Sequence, residues 1–142
     1  MTTTPPEDDF EPYWTALASN RVVVPSCDAC GLRSWPPRPA CRNCHGLHWS
    51  WVEVPPLGAV YSWTVVHHQS MPGHAPPYAV VIAELDDCDG VRLLGHYGAD
   101  SASLEVGLPV RATGVVDSAG ARLLWQPIGQ RPSVHNAADE VP

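Results

Sequence analysis

Apolar positions recur along this chain with two different spacings. Near the N-terminus, Phe10, Tyr13, Trp14 and Leu17 stand three and four residues apart, which predicts a short helix from about Phe10 to Ser19 or Asn20. Asp8 or Asp9 is placed to cap its start, and Pro12 falls in the first turn, where a proline ring is tolerated. So short a helix does not persist alone. Its apolar face must dock, either on the ribbon that follows in the chain or on a partner subunit.

Beyond Asn20 the spacing becomes that of strands. Residues 21–25 form a short apolar run, and residues 49–54 alternate Trp49, Trp51 and Val54 with Ser50 and Glu53. A Pro-Pro turn leads into a long segment, 59–68, rich in Val, Tyr, Trp and Thr. A loop with three prolines and Gly73 follows, then the nearly continuous apolar strand 78–85, an acidic turn at 86–90 and a strand at 91–97. The connection 98–108 contains one helical turn, and 110–116 with 121–126 reads as a hairpin around 117–120. Five strands with a long first one predict a small closed barrel, with the five-stranded OB fold the leading candidate. The expected organisation is a tail and helix (1–20), a metal-binding ribbon (21–54), the barrel (55–128) and a flexible polar tail (129–142).

Sixteen prolines keep the expected helix content low, so the fold class is mostly β. The formal net charge is −7, and all eight basic residues are arginines. That balance argues against a nucleic-acid partner, which would favour a basic groove with exposed aromatics. No apolar run approaches the roughly 20 residues of a membrane span, and the polar, acidic segment 1–9 is unlike a signal peptide. A soluble cytoplasmic protein is expected, a setting in which closely paired cysteines hold metal more often than disulfides.

Such pairs are present. Cys27 and Cys30 are separated by two residues, as are Cys41 and Cys44. Each pair suits a tight knuckle that aims two sulfurs at one point, and two facing knuckles make a tetrahedral four-sulfur cage for zinc. Gly31 and Gly46 supply backbone freedom after each pair. A redox iron site would use the same ligands and would colour the protein red. A four-thiolate zinc ion has no open position for water or substrate, so the expected role is structural.

Other side chains invite chemistry less clearly. Arg33, Arg38 and Arg42 lie inside the cysteine module. They either neutralise the anionic cage or form a positive patch for a phosphate-bearing ligand, such as the nucleotide portion of coenzyme A. His67 and His68 end the long strand, one expected to face the barrel and one to face outward. Cys88 sits among Asp86, Asp87 and Asp89, surroundings that disfavour a thiolate, and reads as part of an exposed turn. No Ser, Cys or carboxylate completes a catalytic set with a histidine, so no catalytic residue is assigned. Trp35, Trp49 and Trp51 share the helix's ambiguity between core and interface.

Taken in order, the helix, Arg21-Val22-Val23-Val24, Cys27-x2-Cys30-Gly31, Trp35-Pro36-Pro37-Arg38-Pro39-x-Cys41-x2-Cys44 and Trp51-Val52-Glu53-Val54 form a recognisable series. It continues with Gly58-x-Val60-Tyr61-Ser62-Trp63-Thr64-Val65-Val66-His67, Pro77-Tyr78, Leu93-Leu94-Gly95 and Gly107-Leu108-Pro109-Val110. From Phe10 to Gln126 the chain resembles the acyl-CoA-associated family with a rubredoxin-like zinc ribbon ahead of an OB fold, domain of unknown function family 35. The resemblance implies one structural zinc and a hetero-oligomer with a thiolase-fold enzyme subunit. It also implies an acyl-CoA thioester at the shared site and catalytic residues held mostly by the partner. Partners of this type include thiolases, acyltransferases and aldolases of steroid side-chain breakdown. Phe10, Tyr13, Trp14, Leu17 and Trp35 are then candidates for the partner interface. Arg33, Arg38, Arg42, His67 and His68 are candidates for the coenzyme A or substrate contact. His96-Tyr97 and the Pro-rich loop with His74 depart from some relatives. The rivals are a nucleic-acid-binding protein and a self-sufficient hydrolase or acyltransferase.

Overall fold

The computed structural model describes residues 9–70 and 72–129. The two termini expected to be polar tails, with Asp8, lie outside the described residues. A short helix, α1 (Glu11–Ala18), precedes a two-stranded antiparallel ribbon, β1 (Val23–Cys27) with β2 (Trp49–Glu53). Then come β3 (Leu57–Val66), β4 (Tyr78–Leu85), β5 (Arg92–Tyr97), β6 (Pro109–Asp117) and β7 (Gly120–Pro127). These five close into a barrel in the order β3-β4-β5-β7-β6, with β5 and β7 parallel and every other pair antiparallel. That is the mostly β, five-stranded OB architecture which the strand spacing predicts. Between β5 and β6 the chain makes one 3-10 turn, Ser101–Ser103, whose start is capped by the Asp100 carboxylate accepting the Ala102 N–H at 2.9 Å.

Strand β4 alternates half-buried and buried side chains from Tyr78 to Leu85. Val81, Ala83 and Leu85 point into the barrel, while Val80 and Ile82 lie on its outer face, so the apolar run conceals an ordinary two-sided strand. In β3 the ladder to β4 slips at Tyr61, between Val60 and Ser62, a bulge that bends the long strand around the barrel. The interior is filled by Trp125, Leu93, Val60, Val81 and Val110, all essentially inaccessible. The Trp125 indole N–H donates to the Leu93 carbonyl at 3.3 Å, so the largest buried side chain keeps its polar atom satisfied.

Helix α1 is capped by Phe10 without a side-chain hydrogen bond, so Asp9 does not cap it. Its buried residues are Tyr13, Ala16 and Leu17, and they rest chiefly on β6 and β7, with less contact to β1. The seat depends on Gly114 of β6: any Cβ there would overlap the Leu17 carbonyl oxygen. Asn20, in the left-handed region at φ 58°, ends the helix and accepts the Gly114 N–H through Oδ1 at 2.9 Å. The expectation of a helix on its own ribbon or on a partner is thus corrected. Most of its apolar face lies on the barrel, because a glycine more than ninety residues away opens a place for it.

Cys88 is another correction. It is 3% exposed and belongs to the main core, not to an exposed turn. Asp87 and Asp89 adopt left-handed φ of 48° and 55° and Gly90 one of 76°, which turns the intervening thiol inward while the carboxylates stay in water.

Candidate functional site

The first knuckle grows out of β1. The Cys27 N–H donates to the Leu32 carbonyl at 2.9 Å and the Gly31 N–H to the Cys27 carbonyl at 2.8 Å, with Gly31 at φ 78°. The second repeats the turn: the His45 N–H donates to the Cys41 carbonyl at 2.9 Å and the Cys41 N–H to the Gly46 carbonyl at 2.8 Å. Here the left-handed position is taken by His45 at φ 65°, not by Gly46. Gly46 serves a different need, because a Cβ on it would stand 3.3 Å from the sulfurs of both Cys27 and Cys44. The glycine keeps the cage open at its tightest approach.

The four sulfurs lie within 4.8 Å of one another, with Cys27 to Cys44 at 3.5 Å and Cys30 to Cys41 at 3.6 Å. A tetrahedron with metal–sulfur bonds of about 2.3 Å has sulfur–sulfur edges of about 3.8 Å, so the cage fits zinc with little adjustment. Cys27 and Cys41 are buried, Cys30 and Cys44 exposed. The Asn43 N–H points at the Cys41 sulfur at 3.4 Å, the kind of second contact that orients a metal ligand. N–H donation at Leu32 and the Asn43 side chain lower the Cys30 thiol to about 6. Cys44 receives the Gly46 N–H, yet the neighbouring Cys27 and Cys30 sulfurs push it up to about 12. Four thiolates this close cannot share one charge state by themselves; a divalent cation at their centre removes that conflict. With all four positions taken by sulfur, the metal ties β1, β2 and the two knuckles together and offers no place to a substrate.

The ribbon arginines reach the barrel. The Arg33 backbone N–H donates to Asp89 Oδ2 at 3.0 Å, Arg33 Nη1 to the Asp87 carbonyl at 3.3 Å and Arg42 Nη2 to the Asp89 carbonyl at 3.3 Å. These contacts fasten the metal-bearing knuckles to the acidic turn that encloses Cys88, whose thiol burial pushes up. Arg38 is exposed and unpaired among the described residues. His67 and His68 both lie just past the end of β3 and are exposed, so neither turns into the barrel as alternation predicts. The ladder stops at Val66, and with it the side-chain alternation. Nor do the histidines join the arginines. Arg92, Glu84 and Ala59 are level across the sheet, and His67 is eight residues further along β3, roughly 25 Å away at a strand's rise per residue.

Of the candidate interface residues, Tyr13 and Leu17 are buried within the chain, and Trp14 is the helix residue with a substantially exposed ring, 41%. Trp35 packs between Phe10 (5.4 Å), Tyr13 (4.6 Å) and Trp51 (6.4 Å), an aromatic junction between helix and ribbon.

One cluster escaped the sequence reading as a unit. His74 of the Pro-rich loop stacks on His96 of β5 at 4.4 Å, with Tyr78 at 5.7 Å from each ring. Arg122 Nη1 meets His74 Nε2 at 3.1 Å while its Nε pairs with Asp117 at 2.8 Å. Desolvation first, then the positive neighbours His74 and Arg122, depress the His96 pKa. The two departures from the family pattern are therefore neighbours in space; the only trace in the sequence is that both are histidines.

Comparison with known proteins agrees with this architecture. Residues 14–48 match the model of the ChsH2 rubredoxin-like zinc ribbon domain, and residues 51–115 that of the ChsH2 C-terminal OB-fold domain. Among curated proteins, a probable enoyl-CoA hydratase alpha subunit of Thermomonospora curvata is 35% identical over 99 residues, covering 69% of this chain and 30% of the relative. A 3-oxo-4,17-pregnadiene-20-carboxyl-CoA hydratase alpha subunit of Mycobacterium tuberculosis is 30% identical over 116 residues, covering 81% of this chain and 36% of the relative. The chain thus spans about a third of the length of the curated relatives it matches. The solved structure of the Ltp2-ChsH2(DUF35) aldolase contains a chain that matches with a TM-score of 0.76 at 30% identity, covering 88% of this chain and 98% of that one. A DUF35-family protein from Sulfolobus solfataricus, 20% identical with a TM-score of 0.59 and 87% of each chain covered, shares the fold. With a ribbon and a barrel both matched in sequence, and one solved relative matched almost end to end, this chain belongs to the ChsH2-type zinc-ribbon and OB-fold family, DUF35.

Proposed function

We propose that this chain is a non-catalytic subunit that docks on a thiolase-superfamily enzyme and helps to bind its acyl-CoA substrate, in lipid or steroid side-chain degradation. The observation that carries the reading is the match to almost the full length of one chain of the Ltp2-ChsH2(DUF35) aldolase. The names of the two curated relatives, both hydratase alpha subunits and one acting on a steroid carboxyl-CoA, point toward the same class of substrate. The closed four-sulfur cage supports a structural metal, and bond making and breaking then fall to the partner. In this reading Trp14 makes the helix's direct contact with the enzyme, while Phe10, Tyr13, Leu17 and Trp35 hold it in place from beneath. Arg33, Arg38 and Arg42 face the phosphates of coenzyme A. His67 and His68, at the other end of β3, make a separate contact further along an extended thioester. The subunit positions the thioester and excludes water.

Co-expression with a thiolase-like subunit, followed by size-exclusion chromatography and acyl-CoA turnover assays, tests the proposal. A complex that turns over acyl-CoA where the purified chain alone does not is the expected result. Turnover by the chain alone, or no association with any thiolase-like subunit, overturns it.

A further inference from the structure

Where the ribbon meets the barrel, a cleft of about 360 Å³ is lined by Arg33, Arg38 and Arg42 from one side and by Asp89 and Arg92 from the other. Half of the protein's eight basic residues converge here, in a chain of net charge −7. Asp89 is the one carboxylate in the lining, and its Oδ2 already accepts the Arg33 backbone N–H. Folding does not use up this positive charge. Arg42 spends one Nη2 contact on the Asp89 carbonyl and Arg33 one Nη1 contact on the Asp87 carbonyl, while Arg33 Nε is buried without a hydrogen-bond partner. Arg92 gives only Nε to Glu84, at 3.3 Å, and its guanidinium is held flat over the Tyr61 ring at 3.7 Å. Arg38 has no partner among the described residues. Four planar cations gathered in a solvent-open cleft, with unspent N–H forks, repel one another unless an anion joins them.

The geometry points to a phosphate-binding site in this cleft, for a ligand carrying a diphosphate or clustered phosphates. Such a group offers several acceptor oxygens and at least two charges, enough to engage forks from both modules at once; a carboxylate offers two oxygens and one charge. The assignment of a phosphate class stands on the cleft alone. Identifying the ligand as the nucleotide end of a coenzyme A thioester rests on the partner-subunit reading above. The site also gives the structural metal a further duty. Arg33 and Arg42 lie three residues and one residue after the ligands Cys30 and Cys41, so the cage sets the ribbon side of the cleft.

Isothermal titration of the zinc-loaded full chain with pyrophosphate, against acetate at matched ionic strength, tests the assignment. Saturable binding of pyrophosphate and none of acetate is expected. Arg38→Ala and Arg92→Ala, neither of which contributes to the contacts between Arg33, Arg42 and the acidic turn, should each weaken binding about tenfold, and together abolish it. Arg92→Lys, which keeps the charge but loses the fork, should fall between, and Arg111→Ala, exposed on β6 outside the cleft, should bind as the parent does. Absence of saturation, parental affinity in the double variant, or equal weakening by Arg111→Ala overturns the site. Co-elution of the double variant with a thiolase-like subunit is scored separately. Association without pyrophosphate binding in the parent sinks the cleft and spares the partner reading; binding without association does the reverse.

Discussion

Replacing Gly114 by alanine tests the seat of the N-terminal helix with one methyl group. The glycine does not occupy the left-handed region, so alanine suits its backbone, and in an unencumbered strand the change would be neutral or stabilising by up to about 1 kcal/mol. Here the new Cβ overlaps the Leu17 carbonyl oxygen and stands 2.8 Å from the carbonyl carbon and 3.2 Å from Cα. Backbone cannot rotate out of the way as a side chain can. If the helix stays and the barrel yields, the overpacking costs about 1–3 kcal/mol. If the last turn lifts instead, Leu17 loses burial that contributes about 1.5–3 kcal/mol, and the Asn20 bond to the Gly114 N–H, worth about 1 kcal/mol, goes with it. Either route gives a loss near 3 kcal/mol, or a melting point lower by roughly 10 °C in a domain of this size. Urea unfolding followed by tryptophan fluorescence, in excess zinc so that metal loss does not intrude, measures it. A variant as stable as the parent would refute the intramolecular seat and return the whole face of α1 to a partner. Trp14→Ala is the companion: it should cost at most about 1 kcal/mol while weakening association with the thiolase-like subunit.

Chelation of zinc, or Cys41→Ala, should unfold the ribbon and remove the arginine contacts to the acidic turn, seen as loss of the Trp35 and Trp51 environment in near-ultraviolet circular dichroism. Thiol titration of the zinc-loaded protein should leave Cys88 unreactive, and its reaction should lag behind that of the four ligands after chelation, since its thiol is buried and its pKa raised. His96 titrates below its unfolded value near 6.5. The unfolded chain therefore binds the proton first, so the stability held above pH 6.5 should decline as pH falls toward the native pKa. Urea melts at pH 7.5 and 5.5 should differ less in His96→Gln than in the parent. An equal fall in both would refute that account. Arg33→Ala should lower the melting temperature more than Arg38→Ala, because only the former loses side-chain contact with the turn.

The parts of the molecule set by neighbours in sequence were legible from it. Cys27, Cys30, Cys41 and Cys44 declare their cage by spacing, because each knuckle is a local turn. The β6–β7 hairpin declares itself because 117–120 combines turn formers between alternating strands. What failed to show was set by distant residues. The carboxylates around Cys88 say surface, yet the direction of its thiol follows from left-handed Asp87 and Asp89 and from Arg33 and Arg42, some fifty residues earlier. The helix face chose β6 and β7 because of Gly114, and no pattern within residues 10–18 carries that information. His74 and His96 meet only because β4 brings the end of the loop beside β5.

The barrel's ladders are uneven. The β6–β7 hairpin is joined to the rest of the ring by the short parallel contact of His96 with Leu124 and Tyr97 with Trp125, and by the pairing of Leu57, Gly58 and Ala59 with Pro109, Val110 and Arg111. Helix α1 lies across that same hairpin. The first and last described elements of the chain therefore form one cooperative unit, held to the β3–β4–β5 meander by its two thinnest seams. In hydrogen exchange their amides should open together and ahead of the meander, and the slowest-exchanging protons should belong to β4, which carries a full ladder on each side.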